Sequence, residues 1–396
     1  MFLGLIKLAL LFHFSLGLNP VTVQKALQPY QPKTLIFVNI RNMYVTAPSL
    51  ANYSYSPLFN SSSTMETKPN TITTRASVNH AGITYKTRWF FPTKFPRGSK
   101  TLYAGDPQSC VFSQDQHQDQ QSLYILYGLT KQPGKGYIVK YNVAGLDRMN
   151  RKSMSFLRRS THYQYLYVTQ HSRSKMTRRW RKQYLEYTRH YLQVGPVITV
   201  GHGQSLSLNP NTNRLFLLQD TNMHNDKALV SDKVTAAEIS QSNLRPINWV
   251  HYSLDPKKDL GGHVLTFGAD GEAYFATQPS VNKSSIPNQV KFYYGQLTLN
   301  QVSFNLAQRI LSPAIGTHLQ NISYNPQSNR LNVTADGAMI SVPANPDKLN
   351  KLQPRDVAQF TFNSKREFED IQFDQQGYSY LLVNRGVEIL KSTQPY

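Results

Sequence analysis

The chain has 396 residues, and its 43 Lys and Arg against 22 Asp and Glu give a formal net charge of +21, which favours anionic polymers or anionic membrane surfaces as partners. Hydrophobic residues make up 40% of the sequence, with 24 Tyr and 19 Phe, so a disordered chain is excluded and a sizeable core is expected. The single cysteine, Cys110, excludes a fold built on internal disulfides.

The N-terminus has the pattern of a secretory signal. Lys7 precedes an apolar run over 8–18 that only His13 and Ser15 interrupt. Such a run is too short to cross a bilayer as a helix. We therefore predict a signal peptide over 1–17 and a protein that is secreted, either in solution or attached to the cell wall. A buried N-terminal helix is the alternative.

Residues 18–104 form a predicted N-terminal extension. The stretch TLIFVNIRNMYVT at 34–46 is rich in β-branched and aromatic residues and predicts a strand. Residues 47–80 are rich in Ser, Thr, Asn and Pro, which predicts a loop.

A motif recurs along the rest of the chain. HGQSLSLNPNTNRLFLLQ at 202–219 and HLQNISYNPQSNRLNVT at 318–334 share a pattern, which indicates a repeated structural unit. Five segments begin with a polar residue, followed in all but the third by a second polar one, and continue apolar, any, apolar. A turn signal follows each of the last four. The five segments are Gln108–Phe112, Gln204–Leu208, His263–Phe267, Gln320–Tyr324 and Glu369–Phe373.

Further short strands follow each of these segments, which predicts antiparallel sheets. We predict an all-β fold, a five-bladed β-propeller over 105–396, closed by the strand at 34–46. Two packed β-sandwiches are the alternative, although they do not explain five equivalent starts. The predicted second, third and fourth strands are 122–127, 215–219, 273–278, 331–334, 378–383, 136–141, 233–239, 290–297, 338–342, 387–390, 248–252 and 358–362.

The first residues of the repeats are candidate ligand-binding residues. In a propeller the innermost strands line a central channel, so these side chains would form a polar ring that binds a sugar, a phosphate-bearing polymer or a cation. The alternative is that the first residues of strands beside a water-filled channel are polar because they are hydrated. His202 and His318 share one register and either sense acid or hold the loops between blades. The predicted ring comprises Gln108, Gln204, His263, Gln320, Glu369 and Asp370.

A basic insertion over 148–192 separates the first two repeats. Between positions 148 and 191 it contains twelve Lys or Arg and one acid, Glu186. Trp180, Tyr184, Tyr187 and Tyr191 are spaced to share one face of a helix. This pattern predicts a partly helical segment that binds a polyanion or a membrane surface; alternatively, the stripe packs on the propeller and the charges are solvated. The predicted polyanion-binding residues are Arg158, Arg159, Arg178, Arg179, Arg181, Lys182, Arg189, Trp180 and Tyr184.

Catalytic motifs are scarce in the sequence. There is no HExxH, paired CxxC, P-loop or GxSxG. A propeller glycosidase needs facing carboxylates, whereas Glu369 and Asp370 are adjacent and point to opposite sides of a strand. Asp106 and Glu367 are spatial partners only if the fold brings them together. We therefore predict a protein that is not an enzyme, needs no cofactor or metal and acts as a monomer; a glycan-cleaving enzyme is the alternative. The export signal argues against nucleic acid as partner.

Three segments resemble the helveticin J family of bacteriocins from lactic acid bacteria. These are GHGQSLSLNPNTNRLFL, HVLTFGADGEAYFATQ and REFEDIQFDQQGYSYLLV, and the resemblance covers roughly 105–390. It implies a secreted protein that binds the envelope of related bacteria, through anionic polymers such as teichoic acid, anionic lipid or a surface glycan. A non-lethal surface or adhesion protein on the same scaffold is the alternative.

Overall fold

The computed structural model describes residues 34–36, 43–46, 69–77, 80–97, 101–115, 121–150, 155–219, 234–252, 264–277, 290–300, 302–312, 319–335, 337–364, 366–384 and 387–396. The predicted signal peptide lies outside these residues. The described part of the chain is mostly β. Its strands in chain order are β1 (Thr34–Ile36), β2 (Met43–Thr46), β3 (Thr71–Ala76), β4 (Thr84–Phe90), β5 (Lys94–Arg97), β6 (Thr101–Phe112), β7 (Ser122–Leu129), β8 (Gly134–Asn142), β9 (Leu192–Val194), β10 (Ile198–Gly201), β11 (Leu206–Asn209), β12 (Arg214–Gln219), β13 (Val234–Ile239), β14 (Pro246–Tyr252), β15 (Val264–Phe267), β16 (Ala273–Thr277), β17 (Val290–Leu297), β18 (Val302–Ser312), β19 (Leu319–Asn325), β20 (Arg330–Ala335), β21 (Ala338–Pro343), β22 (Ala358–Phe362), β23 (Phe368–Phe373), β24 (Ser379–Val383) and β25 (Glu388–Ser392).

Helices occupy two places in the sequence. Three lie between β8 and β9, where the basic insertion was predicted, and a fourth lies between β21 and β22, followed by a 3-10 turn. None of the helices in the described ranges is long and apolar enough to cross a membrane. The helices are α1 (Val143–Asn150), α2 (Phe156–Thr169), α3 (Lys175–His190) and α4 (Pro346–Asn350), and the turn is Pro354–Asp356.

The strands form antiparallel units of consecutive hairpins. Sheet I contains β6, β7 and β8, with β9 and β10 beside β8 and β5 beside β6. Sheets II, III and IV contain β11–β14, β15–β18 and β19–β22, each in sequence order. Sheet V contains β23, β24 and β25, and β4 pairs antiparallel with β25 as its fourth strand. The strand β3 joins sheets IV and V, because it pairs with both β22 and β4.

The first strands of the five sheets contact one another in a cycle. β6 contacts β11, β11 contacts β15, β15 contacts β19, β19 contacts β23, and β23 contacts β6. Five clusters of buried apolar residues lie in the same cyclic order, each between two neighbouring sheets. The cluster between sheets V and I also includes Leu157 and Tyr187 from the helices. Each sheet therefore buries side chains on both faces, which explains strands that are apolar along their whole length.

The prediction that 34–46 closes the last sheet is wrong. β1 and β2 pair in parallel with β18, the outer strand of sheet III, instead of with β25. The strand beside β25 is β4, whose Tyr85, Trp89 and Phe90 are buried. Composition identified 34–46 as strand-forming, whereas no strand was predicted at 84–90. Pairing depends on contacts distant in sequence that composition does not carry.

Two predicted boundaries also differ from the structure. The predicted loop at 47–80 contains the strand β3, where buried and exposed residues alternate; residues 47–68 lie outside the described part. The predicted propeller start at residue 105 falls inside β6, and β4 and β5 precede it. Part of the predicted N-terminal extension is therefore built into the sheets.

The recurring motif forms the turn between the first two strands of a sheet. Asn209 Oδ1 accepts backbone N–H bonds from Asn211 and Thr212, and Asn325 Oδ1 accepts them from the corresponding Gln327 and Ser328. The second Asn of each motif, at 213 and 329, has a φ of 51°, in the left-handed region that Asn tolerates best after Gly. The motif recurs because this turn requires both Asn residues, so it reports on the fold.

Candidate functional site

Three of the predicted ring residues, Gln108, Gln204 and Gln320, approach one another, although Gln108 lies inside β6 and not at its start. Gln204 Nε2 donates a hydrogen bond to Gln320 Oε1. Gln204 lies just before the first strand of sheet II, and Gln320 lies in the first strand of sheet IV. Since sheet III lies between these two sheets, the hydrogen bond crosses the ring. Gln108 Cβ lies 3.6 Å from the position that a Cβ on Gly203 would occupy, so it lies beside Gly203, the residue before Gln204. His263 and His318 lie outside the described residues, and His202 is half-buried before β11.

The two ring carboxylates are engaged inside the protein. Glu369 Oε1 accepts a bond of 2.6 Å from Asn384 Nδ2, and both side chains are buried. Asp370 Oδ2 accepts a bond of 2.7 Å from the backbone N–H of Cys110 and thereby joins sheets V and I. Both side chains are buried, so the alternative that they are polar because they face water does not hold for Glu369 and Asp370. The ligand-binding role of the ring stays a prediction.

Two groups near the ring have shifted pKa values. Burial raises the pKa of Asp370 to about 8, although hydrogen bonds from Cys110 and Gln372 act in the opposite direction. Burial and the neighbouring Asp370 raise the pKa of the Cys110 thiol. A buried thiol held in its neutral form is a poor nucleophile. Cys110 therefore fits packing better than catalysis.

The aromatic stripe of α3 packs against the protein. Tyr184 and Tyr187 are buried, and Trp180 stacks on Tyr163 of α2 with 6.0 Å between ring centroids. Trp180 also meets Phe156 edge-on, at 5.5 Å. The prediction of a helix with one aromatic face is confirmed. The assignment of Tyr184 to direct polyanion contact is wrong, because its side chain is buried. Trp180 is only partly buried, and its assignment stays a prediction.

Arg158 is not a surface residue either. Its side chain is 4% exposed, Nε donates to the Phe91 carbonyl at 2.7 Å, and Nη2 donates to the Val387 carbonyl at 2.6 Å. The guanidinium also lies 4.5 Å from the centroid of the Phe90 ring. Arg158 therefore fastens α2 to sheet V, and its assignment to polyanion binding is wrong. Arg159, the next residue, is exposed.

The opposite face of α3 carries exposed positive charge. The exposed, positively charged positions from 175 to 189 lie across the helix from Tyr184 and Tyr187, at about 100° per residue. They extend over roughly 21 Å of helix axis at ~1.5 Å per residue. Glu186 is the one acid among them. Ser174 caps the helix by accepting the Thr177 N–H at 3.0 Å. We call this face the basic stripe, and it consists of Lys175, Arg178, Arg179, Lys182 and Arg189, all exposed.

A cleft of about 600 Å³ lies beside the basic stripe, between α2, α3 and the strands β5 and β9. The guanidinium carbons of Arg173 and Arg181 lie 3.8 Å and 4.2 Å from the centroid of one ring, Tyr167. Gln164 and Leu185 also line the cleft. The sequence analysis placed Arg181 on the polyanion surface but missed Gln164, Tyr167 and Arg173. The sequence did contain one indication of the cleft: Gln164 and Tyr167 are three residues apart and therefore share one face of a helix.

No metal centre is present within the described ranges, where no three His, Cys, Asp or Glu side chains are placed to hold one ion. The chemistry offered by the insertion is instead that of arginine. Guanidinium groups bind phosphate and carboxylate through paired N–H donors and stay charged at all physiological pH values.

No protein-family model matches the chain, and no curated protein sequence matches it. Solved structures with a similar course of the chain include a glucose dehydrogenase, at 12% identity over 84% of this chain and 97% of that one, with a TM-score of 0.35. A mannose phosphorylase from Leishmania mexicana has 8% identity over 78% and 89% of the two chains, with a TM-score of 0.38. The β-propeller domain of the Trilobed protease from Pyrococcus furiosus has 7% identity over 80% and 75%, with a TM-score of 0.28. Sequence and structural similarity this low gives no information about activity.

Proposed function

We propose that the protein is a secreted five-bladed β-propeller that binds anionic polymers of the bacterial envelope through the basic stripe. The cyclic contacts of the five first strands support the blade count. The pairing of β4 with β25 supports closure by a strand from the N-terminal side of sheet I.

The main support for this function is that the two faces of α3 have different roles. The aromatic face is used for packing, whereas five cations of the opposite face are exposed. No described ion pair involves a residue of this stripe. A row of exposed cations with a single acid attracts a polymer that presents repeated negative charges.

The polymer class follows from the weakness of each contact. One exposed cation near an anionic surface contributes about 1 kcal/mol, so strong binding requires several at once. A chain of phosphates such as teichoic acid, or a surface of anionic lipid, meets this requirement. Binding should weaken steeply with salt, because exposed charges are screened beyond about 10 Å at 0.1 M.

A charge-matched pair of variants tests this role. The first replaces Lys175, Arg178, Arg179 and Lys182 by Gln; the control replaces Arg75, Lys131, Lys351 and Arg355, which are exposed elsewhere. In a pull-down with purified cell walls, the stripe variant should bind at least about 100-fold more weakly than wild type at low salt. The control should stay within about 3-fold. Equal losses in both variants would mean that net charge alone drives binding and that the stripe has no special role.

The bacteriocin character is proposed from the resemblance to the helveticin J family. The Asn-Pro and Asp-Gly segments that carry this resemblance form turns in the structure, so they support a shared scaffold. Growth inhibition of neighbouring strains by purified protein supports the bacteriocin role. Intact wall binding without inhibition supports the non-lethal adhesion protein instead.

A further inference from the structure

The cleft between α2 and α3 contains polar atoms that lack partners. Gln164 is 6% exposed and lines the cleft, yet its Oε1 accepts no hydrogen bond. Arg181 Nε is also buried without an acceptor. A buried polar atom without a partner destabilises the fold. A carbonyl without a donor and a guanidinium N–H without an acceptor, in one cleft, indicate a ligand that supplies both.

The charge of the cleft specifies the anionic part of this ligand. Arg173 and Arg181 lie against the same Tyr167 ring, and the residues that line the cleft include no Asp or Glu. Arg173 Nη1 is held in place by the Tyr167 carbonyl at 3.0 Å. Two guanidiniums on one ring favour an anion with oxygens in several directions, and phosphate is such an anion.

The remaining surface specifies the rest of the ligand. Gln164 Oε1 needs a donor, and a hydroxyl group supplies one. Val168, Leu185 and Val194 form an apolar wall, which suits the C–H face of a sugar or polyol. A volume of about 600 Å³ lies within the range of small-molecule sites.

We propose that this cleft binds the phosphate ester of a polyol, with the phosphate on Arg173 and Arg181 and a hydroxyl group on Gln164. The site is distinct from the basic stripe, which faces away from the sheets on the same helix. The inference rests on the proposed function only for the source of the ligand, either one unit of an envelope polymer or a lipid headgroup.

Calorimetric titration of the full chain with glycerol 3-phosphate tests the site. Wild type should bind with a Kd in the millimolar range or below, whereas glycerol and glycerate should bind at least ~10-fold more weakly. Arg181→Gln should weaken binding at least ~10-fold. Arg355→Gln, the same charge change at an exposed site outside the cleft and the basic stripe, should change the Kd less than ~2-fold. If Arg181→Gln does not fold, as judged by its thermal melt, Arg173→Gln at the exposed end of the cleft replaces it.

Gln164→Leu tests recognition of the polyol hydroxyl separately from recognition of the phosphate. This variant should weaken glycerol 3-phosphate about 5-fold or more and leave inorganic phosphate unchanged, because phosphate has no polyol hydroxyl for Oε1. Absence of binding to wild type, equal losses in Arg181→Gln and Arg355→Gln, or equal affinity for glycerate would overturn the proposal.

Two further probes identify the source of the ligand. Poly(glycerol phosphate) and vesicles of phosphatidylglycerol are titrated with wild type and Gln164→Leu. The source is the probe whose binding depends on Gln164. Loss of wall binding in the stripe variant, with no glycerol 3-phosphate binding in wild type, would leave the proposed function standing and overturn only this site.

Discussion

At the scale of single residues, Asp370 shows how burial sets the chemistry of the ring. Its side chain is fully buried, Oδ2 accepts from the Cys110 backbone N–H, and Gln372 Nε2 donates to Oδ1 at 3.1 Å. Desolvation outweighs these donors and raises the pKa of Asp370 from 3.8 to about 8. The carboxyl group is therefore mainly protonated at neutral pH in the folded protein.

This shift predicts a dependence of stability on pH. In the unfolded chain Asp370 ionises near its ordinary value of 3.8, whereas in the fold it ionises near pH 8. The stability that the neutral group contributes is complete below pH 4 and is lost as the pH rises through 8. Within this pH range the folded protein holds one proton more than the unfolded chain, so the free energy of unfolding falls by about 1.4 kcal/mol per pH unit. Asp370→Asn, which stays neutral, should lose less stability than wild type between pH 5 and 8.

Urea unfolding at each pH provides the measurement. The difference between the two proteins is the quantity of interest, because all other titrating groups contribute equally to both. Parallel curves from pH 5 to 8 would mean that Asp370 is ionised in the fold and that its donors outweigh desolvation.

At the scale of elements, the strand–turn–strand units were predictable and the pairing at the ends was not. The predicted strands 290–297 and 358–362 are β17 and β22, because alternating and apolar runs between turn residues are local signals. The turns share an Asn or Asp whose side chain accepts backbone N–H bonds, at 209, 270, 325 and 374. The partner of 34–46 depends on sheet edges hundreds of residues away, so no local pattern contains it.

Asn213 tests this account of the turn. Its φ of 51° lies in the left-handed region, where a Cβ costs roughly 1–2 kcal/mol. Asn213→Ala should lower the free energy of unfolding by about 1 kcal/mol, whereas Asn213→Gly should leave it within about 0.5 kcal/mol of wild type. Thermal or urea unfolding of the two variants gives the comparison. Equal destabilisation by Ala and Gly would assign the role of Asn213 to its side-chain contacts instead of its backbone.

At the scale of the whole molecule, the candidate site is divided into a predictable and an unpredictable part. The basic stripe could be predicted, since charge density and the aromatic period of α3 are both local. The cleft could not, because Tyr167 on α2 and Arg181 on α3 meet only when the two helices pack. Burial of Arg158 and Tyr184 likewise depends on sheet V and on β5. Sequence therefore indicated the exposed basic stripe, which we propose binds a polyanion, and did not identify the cleft that we propose binds a ligand.

The strand β4 is the fourth strand of sheet V, and Trp89 is its largest buried side chain. The indole stacks on Tyr380 of β24, with 5.8 Å between ring centroids and 13° between planes. Its Nε1–H donates to Asp147 Oδ1 of α1 at 2.9 Å. One side chain thus joins β4, sheet V and α1.

Trp89→Ala should therefore destabilise the entire molecule instead of one sheet. Removing a buried Trp costs about 3–5 kcal/mol, and the loss should appear as a lower midpoint of a single unfolding transition monitored by circular dichroism. Lys86→Ala, an exposed site on the same strand, should stay within about 0.5 kcal/mol of wild type. If Trp89→Ala retains the wild-type midpoint, or melts in a separate early transition, β4 is not the strand on which closure depends. In that case the contact cycle must be held by the first strands alone, since these meet through β6 and β23 without any contribution from β4.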